Sequence, residues 1–416
     1  MIASEGRAAD RGLWGHRDFL RLWAAQAVST FGARIAREGL PMAAVVTLHA
    51  GPAATGLFAA LRLGSQGLMG LVAGHLADRL PKRSLLIAAD LARALVLTLV
   101  PLAALVGRLS LTEIFLAGVL MGAFGVVFDV ADHAFLPSLL KPAQVIEGNA
   151  KLGATEAMAE VGGPALYGAI FSVVAPPIGI GVTALTYLAS ALFLSRIRPP
   201  RSAAEPGKAP GQGIDLVAGF RLVLAHSLVR PLWLAEMTRN FFGGFFAALY
   251  LLFALRVLRL TPFMLGLTVA CGGLGGILGA ALAPRLARTA GVGPTILFAG
   301  AAGAATQVLV PAAGGAPLAA MGFLCAAQFF GDGLMTAADV NAVTLRQTVI
   351  PPDQLGRAGG AFASGQGFMG VAGALGGGWV ATLFDPREAL YVAAAGMVAA
   401  TLFVAASPLR GLRRAG

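Results

Sequence analysis

Long apolar runs follow one another along this 416-residue chain, with only short polar breaks between them. About 20 apolar residues are needed to cross a hydrocarbon core of roughly 30 Å. Hydropathy and the positions of Pro, Gly and charge predict twelve such spans. Six lie near 19–48, 52–78, 83–106, 111–138, 144–174 and 176–196. Six more lie near 229–257, 261–286, 292–312, 315–345, 353–383 and 387–407. Residues 197–213 break the pattern: they are rich in Pro, Gly and charge, have no periodic apolar face, and read as a linker. Residues 214–226 (IDLVAGFRLVLAH) read as a short amphipathic helix lying on the membrane surface. The chain therefore divides into an N-terminal six-helix bundle (1–196), a linker with its short helix (197–228), and a second six-helix bundle with a short tail (229–416). Residues 1–18 are polar and the first apolar run is too long for a signal-peptide core, so no cleavable leader is expected.

Composition sharpens this picture. Hydrophobic residues make up 57% of the chain and charged residues 12%, against about 25% charged in soluble domains. The 56 glycines suit closely packed membrane helices. The net charge of +11 would suit nucleic acid, but its distribution does not. With the N-terminus inside, 21 of the 31 Lys and Arg residues fall at the cytoplasmic ends of the spans and four at the outer ends. That bias is the positive-inside rule; it predicts both termini in the cytoplasm and a cell (inner or plasma) membrane location, and it argues against a nucleic-acid partner. Cys271 and Cys325 lie inside apolar runs and are expected to be free thiols.

The two sets of spans are related. At an offset of 210 residues, His16, Leu22, Trp23, Ala25 and Phe31 recur as His226, Leu232, Trp233, Ala235 and Phe241. Asp129-Val130 recurs as Asp339-Val340, Pro142 and Gln144 as Pro352 and Gln354, and Gly163 and Gly168 as Gly373 and Gly378. Repeated bundles with a substrate site between them are a common plan of secondary transporters.

The most specific local motif joins spans 2 and 3: Gly74-His75-Leu76-Ala77-Asp78-Arg79-Leu80-Pro81-Lys82-Arg83. Gly74 would let a neighbouring helix approach, and Asp78 would cap another helix and pair with a cytoplasmic Arg. Such a clamp would hold two halves together in one state and break in the other. The second half carries Ala281-Leu282-Ala283-Pro284-Arg285, with Pro284 read in place of the acid. The motif resembles that of the major facilitator superfamily, which implies an all-α fold of twelve transmembrane helices in two pseudo-symmetric six-helix bundles. Further stretches are similar to the macrolide-efflux and enterobactin-exporter branch: Phe31-Gly32-Ala33-Arg34-Ile35, Asp90-x-x-Arg93, Leu136-Pro137-Ser138-Leu139, Gly163-Pro164-Ala165-Leu166 and Asn341-x-x-x-Leu345-Arg346-Gln347. The resemblance implies a monomeric exporter of drug-like or siderophore-like small molecules in exchange for protons, with no cofactor. It departs at Ala33, where many relatives have Asp, at Tyr167 and Ala159 in the helix-5 motif, and in lacking an Arg high in span 4.

Ionisable groups inside a membrane are costly and by default functional or paired. Asp90 and Arg93, three residues apart, read as an ion pair near the cytoplasmic side or as part of the gate. Asp129 and Asp339 are repeat-related and read as symmetric gate or packing groups. Glu156 and Glu160 lie one turn apart, so both can face one side. Two such carboxylates do not ionise together cheaply, which suits a proton carrier; alternatively one of them pairs with Arg62 or Arg34. Arg34 and Glu38 are also one turn apart and could compensate each other. By resemblance, spans 1, 4, 7 and 10 line a central cavity, which makes Arg34, Glu38, Glu236, Arg239, Asn240 and Asp332 candidate lining residues, with Glu38 a further candidate for coupling. Phe241, Phe242, Phe245 and Phe246 form either an aromatic wall or a lipid-facing surface. No H-E-x-x-H, G-x-S-x-G or phosphate-loop motif occurs, so no enzyme activity is expected, and five scattered histidines suggest no metal site. Uptake or uniport of a nutrient, and a receptor or scaffold role, stand as alternatives.

Overall fold

The twelve apolar runs form twelve long helices in the computed structural model, which describes residues 12–198 and 216–413. They are α1 (Arg17–Met42), α2 (Pro52–Arg79), α3 (Lys82–Leu105), α4 (Leu111–Leu139), α5 (Pro142–Val173) and α6 (Pro176–Ser195). The second six are α7 (Val229–Leu252), α8 (Pro262–Ala290), α9 (Val292–Thr306), α10 (Pro317–Val349), α11 (Leu355–Leu383) and α12 (Pro386–Ala405). The predicted linker lies outside the described residues from 199 onward. The amphipathic segment is a helix over Leu216–Ala225 that packs on α11. The predicted ninth span is interrupted: α9 ends at Thr306 and a short turn, Leu309–Ala312, completes it.

The 210-residue register holds for the backbone as well as for the residues. The starts of α2, α3 and α6 at Pro52, Lys82 and Pro176 match those of α8, α9 and α12 at Pro262, Val292 and Pro386. α1 ends in a widened turn over Ala43–Thr47, and α7 does so over Phe253–Val257. Beyond those turns His49 and Arg259 both take positive φ, 57° and 54°. Only Gly, and occasionally Asn or Asp, adopts that region without cost, so finding it at His and Arg in the same register marks an inherited loop.

Why these helices span a membrane is visible in their faces. On α3, Leu91, Leu95, Leu99 and Leu102 are exposed at helical spacing, while Asp90, Arg93 and Leu97 on the opposite face are buried. Eight helices are long and apolar enough to cross by composition. The other four are α1, α2, α5 and α11. Three of them carry charge at mid-helix (Arg34, Arg62, Glu156, for example) and α11 is glycine-rich. Polar and small residues of this kind are tolerated where they face protein or a water-filled space instead of lipid.

The halves meet through α2 against α11 and α7, and through α5 against α8. An even number of crossings puts residues 12 and 413 on one face, the terminal face; the opposite one is the distal face. Contact is tightest at the distal face. A Cβ at Gly56 would stand 2.6 Å from the Ala374 carbonyl oxygen, and one at Gly168 would stand 2.9 Å from that of Pro262. Nearer the terminal face the interface opens. A Cβ at Gly67, Gly70 or Gly74 on α2, Gly153 on α5, or Gly359 or Gly367 on α11 would meet nothing within 4 Å. The two bundles therefore form a V that is closed distally and open towards the chain ends.

Candidate functional site

The V encloses a cavity of about 1190 Å³ between the halves. Its two walls differ. The N-terminal half contributes Arg34, Arg37 and Glu38 from α1, Arg62 from α2, and Glu156 and Glu160 from α5. The C-terminal half contributes one charged group, Asp332 on α10, set in a polar stripe with Gln328 and Thr336 one turn to either side. Tyr250 and Phe246 of α7 add aromatic surface.

Part of the charge is internally compensated. Glu160 accepts from Arg34 and lies 3.8 Å from Arg37, whose Nε is 3.1 Å from Glu38 Oε1. The result is an alternating chain, Arg34–Glu160–Arg37–Glu38, that ties α1 to α5. Gly163 makes this possible: a Cβ there would stand 2.6 Å from Arg34 Cβ, so only glycine lets the Arg34 stem pass. Pro164 follows in α5, and its carbonyl faces Gly266 of α8 at the tight distal interface. Arg62, Glu156 and Asp332 line the same cavity with no ion-pair partner within 4 Å among the described residues.

Every ion pair among the described residues lies within one half. The side-chain hydrogen bond that crosses is Arg256 Nη2 donating to the Val45 carbonyl oxygen at 2.8 Å, at the distal face. A fold of two related six-helix bundles around a charged central cavity is what the sequence motifs imply, and a direct comparison decides the matter: the family model described as Major Facilitator Superfamily matches residues 22–346. The chain belongs to that superfamily.

Within the superfamily, the uncharacterized MFS-type transporter YvqJ of Bacillus subtilis (strain 168) is 24% identical over 194 residues, 45% of this chain and 46% of that protein. The chain thus matches about half the length of that relative. Among solved structures, the nucleoside transporter NupG matches with a TM-score of 0.71 at 14% identity, over 94% of this chain and 98% of that one. A bacterial metal transporter gives 0.69 at 16% identity, over 94% and 98%. A bacterial homologue of the iron transporter ferroportin, in an inward-facing state, gives 0.69 at 19%, over 93% and 98%. At these identities the likeness is one of fold.

The family fold places the remaining candidates away from the central cavity. Asp90 and Arg93 pair at 2.5 Å with side-chain exposures of 0% and 4%. They sit buried inside the N-terminal half, in the half of α3 nearer the terminal face. Ser29 Oγ lies 3.4 Å from each, and the guanidinium rests 4.3 Å from the Phe128 ring centre and 4.5 Å from that of Tyr187.

Glu236, Arg239 and Asn240 do not line the cavity. They belong to networks inside the C-terminal half. Arg239 pairs with Asp339 at 2.7 Å, and Glu236 lies 3.6 Å from Arg346 while accepting from Gln366. Asn240 donates to the Glu236 carbonyl at 2.8 Å. These residues are on the right helix but too near the terminal face, and rotated towards α10 and α11. Asp129, the repeat partner of Asp339, has no such pair among the described residues. The expected Arg34–Glu38 compensation is replaced by Arg34–Glu160, because the close α1–α5 packing brings Glu160 nearer. Phe241, Phe242 and Phe245 pack on one another in the core, and only Phe246 of that cluster reaches the cavity.

At the terminal face the loop motif shows the open side of the V. A Cβ at Gly74 would touch nothing, so the expected close helix approach is absent in this state. The Asp78 side chain lies outside the described residues. Arg79 is exposed. Arg83 donates to the Leu194 and Ser195 carbonyls at 3.0 and 2.5 Å, closing the C-terminus of α6. The structural register also corrects the reading of the second-half copy: Arg288, not Pro284, stands at the position of Asp78, and Pro284 at that of Gly74.

The sequence alone marks Arg37 only as a charge within a span and Arg62 as a possible partner of Glu156 or Glu160, and Gln328 and Thr336 escape notice in it. Their signal is present all the same: Gln328, Asp332 and Thr336 recur every four residues on an apolar helix, which marks one polar face.

Proposed function

We propose that this protein is a secondary active transporter that exports amphiphilic small molecules in exchange for protons, by rocking its two halves about the central cavity. The observation that carries the reading is the cavity itself. It lies between two repeated bundles, is sealed at one face and open at the other, and is lined by carboxylates of which Glu156 and Asp332 have no cationic partner within 4 Å among the described residues. A carboxylate free of a fixed cation can take up and release a proton as its surroundings change. Glu160 is already held by Arg34 and Arg37, so the coupling role falls to Glu156. The excess of Lys and Arg at the terminal face supports reading that face as the cytoplasmic one, and on that reading the present state is inward-open. Export, and the drug-like or siderophore-like class, rest on the motif resemblance. The Asp78 loop would close the terminal face in the alternate state.

The test begins with a compound-susceptibility panel on cells with and without the gene. Any hit is then followed in proteoliposomes under an imposed pH gradient. Glu156→Gln is expected to lose gradient-driven flux at least tenfold while retaining downhill exchange of the same compound. Unchanged gradient-driven flux would remove Glu156 from coupling, and flux indifferent to the gradient in wild type would remove proton exchange altogether.

A further inference from the structure

A second space of about 300 Å³ opens off the central cavity into the N-terminal half. It shares Arg34, Arg37, Arg62 and Glu156 with the cavity at its mouth, and it ends against Asp129, Arg93, Tyr187 and Ser29. The 210-residue register shows what occupies the same place in the other half. There the counterpart of Asp129 is Asp339, the counterpart of Ser29 is Arg239, and the two form an ion pair at 2.7 Å, while counterparts of other pouch residues (Gly243, Gly272, Asp332 and Thr336) line the central cavity itself. In the N-terminal half the arginine is replaced by serine. The carboxylate stays, but the nearest permanent cation of this half, Arg93, comes from α3 and is paired with Asp90, so no cation lies within 4 Å of Asp129 among the described residues.

The other charges around Asp129 do not supply the missing cation. Arg93, the permanent cation within the pouch, is held by Asp90 at 2.5 Å. Arg34 is engaged by Glu160 and Arg37 by Glu38. Arg62 stands at the mouth, more than 4 Å from the Asp129 carboxylate and in no ion pair among the described residues. His133 is turned to the Asp129 backbone carbonyl at 2.7 Å. Two polar atoms on residues that line the pouch make no hydrogen bond of normal geometry: the Tyr187 hydroxyl, on a residue that is 0% exposed, and Arg93 Nε. A buried hydroxyl without a partner is uncommon and calls for one.

We propose that the pouch receives the cationic group of the transported molecule, a protonated amine or guanidinium, with Asp129 as its counter-ion and the Tyr187 hydroxyl as a second acceptor. A bare metal ion fits poorly, because hard cations take six or more oxygen ligands at short range and the pouch offers two carboxylates, Asp129 at its end and Glu156 at its mouth. The volume and the apolar walls (Phe58, Met121, Phe128) suit an organic cation with the methylenes that carry it. The inference rests on the transporter reading for the word transported, and on the repeat geometry for the site.

The probe is phenethylammonium, titrated calorimetrically into the purified full-length protein in nanodiscs, with neutral phenethyl alcohol alongside. Asp129→Asn is expected to weaken phenethylammonium binding at least tenfold and leave the alcohol within twofold; Asp129→Glu stays within threefold of wild type. Asp339→Asn, which disturbs only the pair in the other half, leaves both probes unchanged. Gly125 lines the pouch one turn before Asp129, and a Cβ there meets nothing within 4 Å. Gly125→Leu therefore fills the pouch without touching the acid and is expected to abolish amine binding, which keeps the question open to test should Asp129→Asn fail to fold. Amine affinity that ignores both substitutions, or no amine binding to wild type, overturns the proposal. Asp129-dependent binding in a protein that moves no compound across proteoliposomes would sink the transport reading alone. Transport indifferent to Asp129 would sink the pouch alone.

Discussion

The two halves share a backbone and differ in where they keep their charge. The N-terminal half places six charged side chains on the cavity wall, and the C-terminal half places one. The C-terminal half closes two further acids in pairs away from the cavity, Asp339 with Arg239 and Glu236 with Arg346. The N-terminal half keeps Asp90 with Arg93 in its core and leaves Asp129 open. At the positions of Asp90 and Arg93 the C-terminal half has Gly300 and Gly303, so its cation enters from α7 instead of from the third helix of the bundle. Duplication preserved the starts of several helices, the widened turns and even the unusual φ of His49 and Arg259, although α9 breaks after 15 residues where α3 runs for 24. The chemistry diverged side chain by side chain, with one half carrying most of the cavity's charge and the other a single unpaired acid, Asp332.

This contrast can be attacked at three strengths. The largest effect is expected where the halves touch. A side chain at Gly266 would overlap the Pro164 carbonyl, so Gly266→Leu should hold the distal face apart, lower transport on the order of 100-fold, and expose a cysteine placed at Thr55 to thiol reagents from the distal side. A shielded Thr55→Cys in that variant would mean the seal does not depend on backbone contact. Next comes the compensated chain on the more charged wall. Glu160→Gln leaves Arg34 and Arg37 short of an anion; since both partners are partly exposed, the loss is about 1–2 kcal/mol, below the 3–5 expected for a fully buried pair. A thermal unfolding midpoint lowered by several degrees, with transport also impaired, is the expected outcome, and an unchanged midpoint would show that the chain contributes nothing to stability. The smallest effect is expected in the C-terminal half. Asp339→Asn breaks a pair whose acid is 47% exposed, so a cost of at most about 1 kcal/mol and transport within twofold of wild type should follow. A tenfold loss of transport there would erase the contrast between the halves.

Much of the fold is legible in the sequence. Apolar runs of spanning length, Pro at helix starts and the repeat set twelve helices, and their observed bounds differ from the predicted ones by a few residues. The site is legible in part. Arg34, Glu38, Glu156, Glu160 and Asp332 do line the cavity, because a charge in the middle of an apolar helix has few other places to go. For Glu236, Arg239 and Asn240 the sequence gives the cavity helix but neither its rotation nor its depth, and they fall on the wrong side of it. Partner choice is legible only as alternatives: Arg34 stands against both Glu38 and the Glu156–Glu160 pair, and spacing does not choose between them. Arg34 takes Glu160 from a helix more than a hundred residues away, in preference to Glu38 on its own face, because Gly163 lets α1 and α5 close to backbone distance. That preference is decided by packing between helices, which local spacing does not encode.

One distal contact has an evolutionary corollary. Arg256 reaches across the seam to a backbone oxygen, at Val45, and its own repeat position in the first half is Val46. The latch therefore has one replaceable part. Any residue at 45 offers the same carbonyl, so that side is free to drift, while the grip is gained or lost by change at 256 alone. A family diverging in cargo could retune how readily the distal face opens through a single codon, leaving the cavity walls untouched.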